Sequence, residues 1–234
     1  RLEIDGKRIG LIGHSEGGII APMAAAGEGR DDIAFAGLIA PPGVPLGEVL
    51  VLQSRLINEA EGVSGADRVV DDELTSACVR ILTSIDDPAQ RQQEMAAAVS
   101  GCWGKMSDAA KANAGGSIEA LQRQTARMDT PWMRYLIAKD PADELRGRPC
   151  PPRVLSVGKD LQVPPAQNEE PLLKAFAAGG KVRPSVVVLA EHNHLFQRTT
   201  TGKPSEYGEL EETFGEDALD TIRAWVVRNV VATR

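Results

Sequence analysis

The chain has 234 residues and a formal net charge of −7, with 26 Lys and Arg against 33 Asp and Glu. This acidic balance argues against nucleic acid or an anionic membrane surface as a partner, because both attract clustered cationic side chains. The length suits a single α/β domain with an inserted lid. No apolar run is long enough to cross a bilayer, and the first residues do not resemble a signal peptide.

The three cysteines are spaced for neither a disulfide framework nor a metal site. Cys78, Cys102 and Cys150 are therefore expected to be buried and inert. Unpaired cysteines favour a reducing compartment, so the predicted location is the cytoplasm.

The first predicted element is an apolar strand over residues 8–12, which leads into Gly-x-Ser-x-Gly at Gly13, Ser15 and Gly17. The pattern predicts a nucleophile elbow, in which the serine lies on a sharp strand-to-helix turn. Gly13 and Gly17 would let the two arms of that turn pass closely, since neither carries a Cβ. The alternative is an ordinary strand, turn and helix with a surface serine.

A helix of small residues is predicted over 17–27, where Pro22 is tolerated only near the first turn. Residues 33–42 then form a second buried strand that ends at two prolines. A strand, a helix and a strand in this order predict a parallel sheet with a right-handed crossover.

The apolar period becomes helical after this strand and stays so for about a hundred residues. Helices are predicted at residues 49–57, 70–85, 88–103 and 108–128. An insertion of this length predicts a separate helical lid over 44–147, with the core formed by 1–43 and 148–234. A plain structural layer is the alternative. The soft apolar residues that suit a pocket wall are Trp103, Met106, Met128, Trp132 and Met133.

The strand pattern returns at residues 150–158 and again at 184–190, with a helix between them over 168–178. Asp160 follows the first of these strands, and His194 follows the second. Open α/β sheets carry their functional groups at the carboxyl ends of the strands. A helix over 216–231 closes the chain.

Ser15, Asp160 and His194 follow three different strands in the order that α/β-hydrolases use. A serine hydroxyl needs an imidazole to remove its proton, and the imidazole needs a carboxylate to orient it. We therefore predict Ser15 as nucleophile, His194 as general base and then acid, and Asp160 as the orienting acid. The backbone N–H of Glu16 is the predicted oxyanion donor.

Two assignments stay open on the residues alone. His192 lies two positions from His194, so either could be the base, or the pair could bind a metal ion. His14 is the remaining histidine, and no further ligand has metal-site spacing, which makes the metal reading the weaker one. Asp160 could also be a turn residue beside Lys159.

Several motifs in this chain resemble those of bacterial esterases of the α/β-hydrolase superfamily. The likeness is to the group often labelled serine aminopeptidase-like or dienelactone-hydrolase-like. The matching stretches are 13–23 (GHSEGGIIAPM), 40–45 (APPGVP), 130–135 (TPWMRY) with 140–141, 158–164 (GKDLQVP), and 193–197 (NHLFQ) with 205–208 (SEYG).

The resemblance implies a serine hydrolase that cleaves small carboxylic esters through an acyl-enzyme, with Ser15, Asp160 and His194 as its triad and no metal or organic cofactor. A small-molecule ester is then the expected partner. Family members carry further strands and a second oxyanion loop before the elbow, so the core here is expected to lack its first strands. His192 departs from the family pattern.

A serine peptidase or an acyl-thioesterase is the alternative activity. The alternative of a different class is a non-catalytic or truncated hydrolase fragment that acts as a binding protein.

Overall fold

A computed structural model describes residues 4–5, 9–26, 33–146, 152–179 and 185–231. The chain divides into two compact units. Unit one comprises Arg1–Val44 and Asp140–Arg234, and unit two comprises Pro45–Lys139. Unit one contains the strands, whereas unit two is helical. That the helical residues act as a lid stays a prediction, as does the lack of earlier strands.

The strands of unit one form a four-stranded sheet in the order β1-β2-β3-β4. Their bounds are β1 (Ile9–His14), β2 (Ile33–Ile39), β3 (Pro152–Val157) and β4 (Ser185–Leu189). Every neighbouring pair is parallel, which confirms the predicted parallel sheet. The carboxyl ends of all four strands therefore meet at one edge.

The helices follow in chain order, and their bounds are α1 (Gly17–Ala26), α2 (Leu46–Ala60), α3 (Gly65–Ser84), α4 (Pro88–Trp103), α5 (Asp108–Asn113), α6 (Ile118–Ala126), α7 (Pro131–Ala138), α8 (Pro141–Leu145), α9 (Pro165–Ala178) and α10 (Glu216–Val231). Helices α7 and α8 were missed by the sequence prediction. Both are short, and each begins with a proline after a capping residue, Thr130 or Asp140.

The two central strands, β2 and β3, are covered on both faces. Leu38 and Val154 lie in one buried cluster with residues of α1, α8 and α9. The next residues along those strands, Ile39 and Leu155, lie in a second cluster with Phe196 and α10. Consecutive strand residues point to opposite faces, so these buried strands read as continuous apolar runs in the sequence.

Unit two has its own core between α3, α4 and α6. Ile81 and Val99 are completely buried in this cluster, and Trp103, Met106 and Met128 pack against it. These three residues are therefore core packing of unit two. Trp132 differs, because 45% of its surface is exposed.

Two details of the helices differ from prediction. Residues 108–128 form two helices, α5 and α6, because Gly115 and Gly116 adopt φ values of 93° and 76° that a right-handed helix does not allow. Pro22 lies within α1 as its sixth residue, in the second turn. There it lacks the N–H that would reach the carbonyl of Gly18.

None of the helices in the described ranges combines the length and the apolar character that crossing a bilayer requires. Cys78 and Cys102 are buried free thiols in unit two. Cys150 lies outside the described residues. Burial raises the pKa of Cys78 to about 11, and it raises the pKa of Cys102 as well.

Cys78 should resist alkylation in the folded protein. With a pKa of about 11, only about one thiol in a thousand is the reactive thiolate at pH 8. Iodoacetamide labelling at pH 8, read by mass spectrometry of the Cys78 peptide, should be slow in buffer and complete within minutes in guanidinium. Equal labelling rates in the two solvents would contradict the buried position.

Candidate active site

The turn between β1 and α1 is strained at Ser15. Ser15 has φ 55°, a left-handed conformation that costs a residue with a Cβ on the order of 1 kcal/mol or more. Its N–H donates to the carbonyl of Ile39 at the end of β2 (2.9 Å), and its own carbonyl accepts from Gly18 (2.7 Å). These bonds hold the strained serine at the carboxyl edge of the sheet.

The close approach in this turn falls on a different pair of glycines from the predicted one. A Cβ on Gly13 would lie 1.9 Å from the carbonyl oxygen of Gly17, and one on Gly18 would lie 2.6 Å from the Cβ of Pro41. At Gly17 itself, apart from its chain neighbours and the backbone of its own helix, no heavy atom of the described chain lies within 4 Å of the Cβ position. The requirement predicted for Gly13 holds, whereas the one predicted for Gly17 belongs to Gly18.

Asp160 lies directly after β3 and is only 3% exposed. Its Oδ1 accepts hydrogen bonds from the backbone N–H groups of Gln162 and Val163, each at 2.8 Å. The loop thus curls around the carboxylate and fixes its orientation. Asp160 is a turn residue, as the alternative reading required, but its carboxylate also serves the neighbouring loop.

His194 lies in the loop after β4 and is 4% exposed. Its Nδ1 is 2.8 Å from Oδ2 and 3.0 Å from Oδ1 of Asp160. A carboxylate at Nδ1 fixes the proton there in the neutral imidazole, which leaves Nε2 as the nitrogen able to take a proton. The predicted acid and base are therefore brought together by the fold.

Ser15 is linked to the Asp160–His194 pair through His14, which precedes it in the chain. His14 Nε2 is 2.8 Å from the main-chain oxygen of His194, and the two imidazole rings are 4.8 Å apart. Among the described residues, no hydrogen bond joins the Ser15 hydroxyl to His194. Bonds of this kind are often long without substrate and tighten when it binds.

His192 belongs to a separate arrangement. Its Nε2 is 3.0 Å from Oδ1 of Asp217, which also accepts from Arg198 (2.7 Å) and from the backbone of Ala218 (3.0 Å). Burial opposes ionisation of Asp217, but His192 and Arg198 outweigh it and lower its pKa. His192 is thus held by the start of α10, and its side chain does not share the carboxylate of Asp160.

A metal site was the other reading of the pair His192 and His194. Nowhere in the described part of the chain do three or more His, Cys, Asp or Glu side chains come together in a way that could hold a metal ion.

Sequence reasoning missed the polar residues that shape the loop after β4, residues 190–203, which we call the histidine loop. Asn193 and Gln197 are buried and bonded to each other at 2.9 Å, and Gln197 also donates to the carbonyl of Tyr207 (3.1 Å). The Tyr207 hydroxyl in turn accepts from the side chain of Gln162 at 3.0 Å. Burial raises the pKa of Tyr207, so the phenol is neutral. The available signal was their position in the stretches that carry the family resemblance.

No family model and no curated protein matches the chain. Several solved structures resemble the chain over most of its length. They include a proline iminopeptidase from Mycobacterium smegmatis, with 12% identity, a TM-score of 0.44, and coverage of 97% of this chain and 68% of that one.

An esterase from Exiguobacterium antarcticum is 17% identical with a TM-score of 0.43, over 94% of this chain and 67% of that one. An enol-lactonase from Burkholderia xenovorans is 17% identical with a TM-score of 0.39, over 97% and 66%. The chain thus spans about two thirds of the length of each. Likenesses at these TM-scores carry no information about substrate.

Alanine substitutions at Gly13 and at Gly17 should have different effects on the stability of the protein. Gly13→Ala should destabilise the protein by about 2 kcal/mol or more, because its methyl group would overlap the Gly17 carbonyl. Gly17→Ala is the matched control and should be neutral or stabilising by up to about 1 kcal/mol, since alanine is the better helix former. Urea unfolding measures both, and equal destabilisation by the two would contradict the geometry.

Proposed function

We propose that the chain is a serine hydrolase that cleaves small carboxylic esters through an acyl-enzyme, with Ser15 as nucleophile, His194 as general base and Asp160 as orienting acid. The observation that carries the proposal is the buried Asp160–His194 pair, with Nδ1 to Oδ2 at 2.8 Å, at the sheet edge where Ser15 occupies its strained turn. Strained, non-glycine residues at a loop edge are typical of functional sites.

The chemistry follows from the protonation of these groups. His194 Nε2 takes the proton of the Ser15 hydroxyl as the oxygen attacks the ester carbonyl carbon. Asp160 stabilises the imidazolium that forms, because both of its oxygens lie within 3.0 Å of Nδ1. The same proton then passes to the departing alkoxide, which leaves as an alcohol.

Water completes the cycle by the reverse route. His194 removes a proton from the water as it attacks the acyl carbon, and then returns a proton to Ser15 as the acid leaves. The negative oxygen of each tetrahedral intermediate needs donors, and the backbone N–H of Glu16 is the proposed one. Glu16 directly follows the nucleophile in the turn before α1.

The choice of a carboxylic ester rests on the motif resemblance, and the lid role proposed for the helical insertion rests on its length. Peptide and thioester hydrolysis use the same three groups, and a substrate panel therefore distinguishes these activities. The proposal requires that short-chain p-nitrophenyl esters be turned over faster than aminoacyl-naphthylamides or acyl-thioesters.

Ser15→Ala should abolish labelling by a fluorophosphonate probe and lower ester turnover by about 10³-fold or more, because no oxygen nucleophile remains. In-gel fluorescence and p-nitrophenyl butyrate hydrolysis measure the two effects. Ser76→Ala, which removes an exposed hydroxyl of α3, is the control and should behave as the native protein. A folded native sample that is not labelled would refute the enzyme proposal and favour a binding protein.

Substitutions of His194 and of His192 should have very different effects on ester turnover. His194→Ala should lower ester turnover by about 10³-fold or more, since the base is lost. His192→Gln should keep most of the activity, because glutamine can still donate to Asp217 and does not touch Asp160. Turnover at 25 °C, with circular dichroism to confirm folding, decides this. Retained turnover in His194→Ala would overturn the assignment of the base.

A further inference from the structure

We infer that His14 is a positioning residue of the proposed hydrolase, whose imidazole fixes the main chain of His194 against the turn that carries Ser15. The inference rests on the proposed function and adds a residue to its machinery. It starts from one hydrogen bond, 2.8 Å long, between His14 Nε2 and the main-chain oxygen of His194, two residues that are 180 positions apart in the chain.

The direction of this bond defines the state of His14. A carbonyl oxygen can only accept, so Nε2 of His14 carries the proton. Desolvation by burial lowers the pKa of His14, the neighbouring His194 lowers it further, and the ring is therefore neutral at pH 7. With Nε2 committed to a carbonyl, His14 acts through this nitrogen as a hydrogen-bond donor.

His14 is the last residue of β1, and its backbone continues directly into Ser15. Its ring is 4.8 Å from the ring of His194 and makes an edge-on contact with Phe196 at 5.9 Å. Phe196 is completely buried and stacks on Phe214 at 5.2 Å, so the wall behind His14 is a packed one.

The bond matters because two other hydrogen bonds of the histidine loop connect it to the end of β3 and not to β1. The N–H of Lys159 donates to the carbonyl of His192 at 3.0 Å, and His194 Nδ1 meets Asp160, and both of these bonds link the loop to the end of β3. The His14 bond links the same loop to β1. Together these bonds fix the position of the His194 imidazole relative to both Asp160 and Ser15.

Positioning of this kind acts on the chemical step. A displacement of about 1 Å between a base and a nucleophile can cost about a hundredfold in rate, while substrate binding by other residues is left intact. Loss of the His14 donor is therefore expected to lower kcat and the inactivation rate constant of a fluorophosphonate, with little change in KM.

The test compares two donor-less variants with one that keeps the donor. His14→Phe retains a ring of similar size, and His14→Leu serves if the phenylalanine variant misfolds. His14→Gln is the matched control, because its amide nitrogen is as many bonds from Cα as imidazole Nε2 and can donate to the same carbonyl. Each full-length variant is assayed with p-nitrophenyl butyrate and a fluorophosphonate, after thermal unfolding has confirmed a native fold.

The donor-less variants should lose about 10- to 100-fold in kcat, with KM within about threefold of the native value. His14→Gln should stay within about fivefold of native kcat. Native kcat in a folded donor-less variant would overturn the inference. Equal losses in His14→Gln and His14→Phe would also overturn it, since the donor would then not be the cause.

A second readout separates this inference from the proposed function. The Nδ1 proton of His194, bonded to Asp160, should give a low-field proton resonance in the native protein. That resonance should shift or broaden in His14→Phe and stay in place in His14→Gln. If the native chain neither labels nor turns over esters, the proposed function fails, and an unchanged resonance in His14→Phe would by itself sink the positioning role.

Discussion

The buried carboxylate of Asp160 is the interaction around which the site is arranged. A carboxylate that is 3% exposed is tolerated only when several donors surround it. The backbone of Gln162 and Val163 supplies two of these donors, which forces the chain after β3 into a tight curl. The third donor must come from another loop, and His194 is that donor. The requirement for charge satisfaction thus brings the loops after β3 and β4 together.

The backbone of the turn at Ser15 is fixed by a separate set of contacts. Ser15 keeps its left-handed backbone because Ile39, Gly18 and the packing around Gly13 fix both arms of the turn. Ala40 after β2 (φ 45°) and Phe196 in the loop after β4 (φ 62°) are the other described non-glycine residues with positive φ. All three follow strands at the carboxyl edge. The positive-φ strain at these three residues is therefore concentrated where the chemistry is proposed.

Much of this arrangement could be predicted from the sequence. The apolar run of β2 is continuous because this strand is covered on both faces, and the parallel order then places Ser15, Asp160 and His194 at one edge. These inferences need only local patterns and the geometry of parallel strands. Helix α4 was also predicted with its observed bounds, and the structure shows Asp87 as its cap and Pro88 as its first residue.

The details that escaped prediction depend on contacts between distant segments. Gly18 rather than Gly17 must lack a side chain because Pro41 lies against it. Asp217 holds His192 from 25 residues away. The hydrogen bond of His14 could not be predicted, because a pattern of residues does not show which carbonyl an imidazole will meet. The sequence likewise could not show that His192 and His194 each meet a different carboxylate.

The carboxylate of Asp217 also links the dynamics of two elements. It accepts from His192 and Arg198 in the histidine loop while it caps the start of α10 through Ala218. Opening the first turn of α10 would release a buried imidazole and an arginine together, so the helix start and the loop form one cooperative unit of local unfolding. Amide protons in these two segments should accordingly exchange with solvent with a common opening free energy, although their sequences are separate.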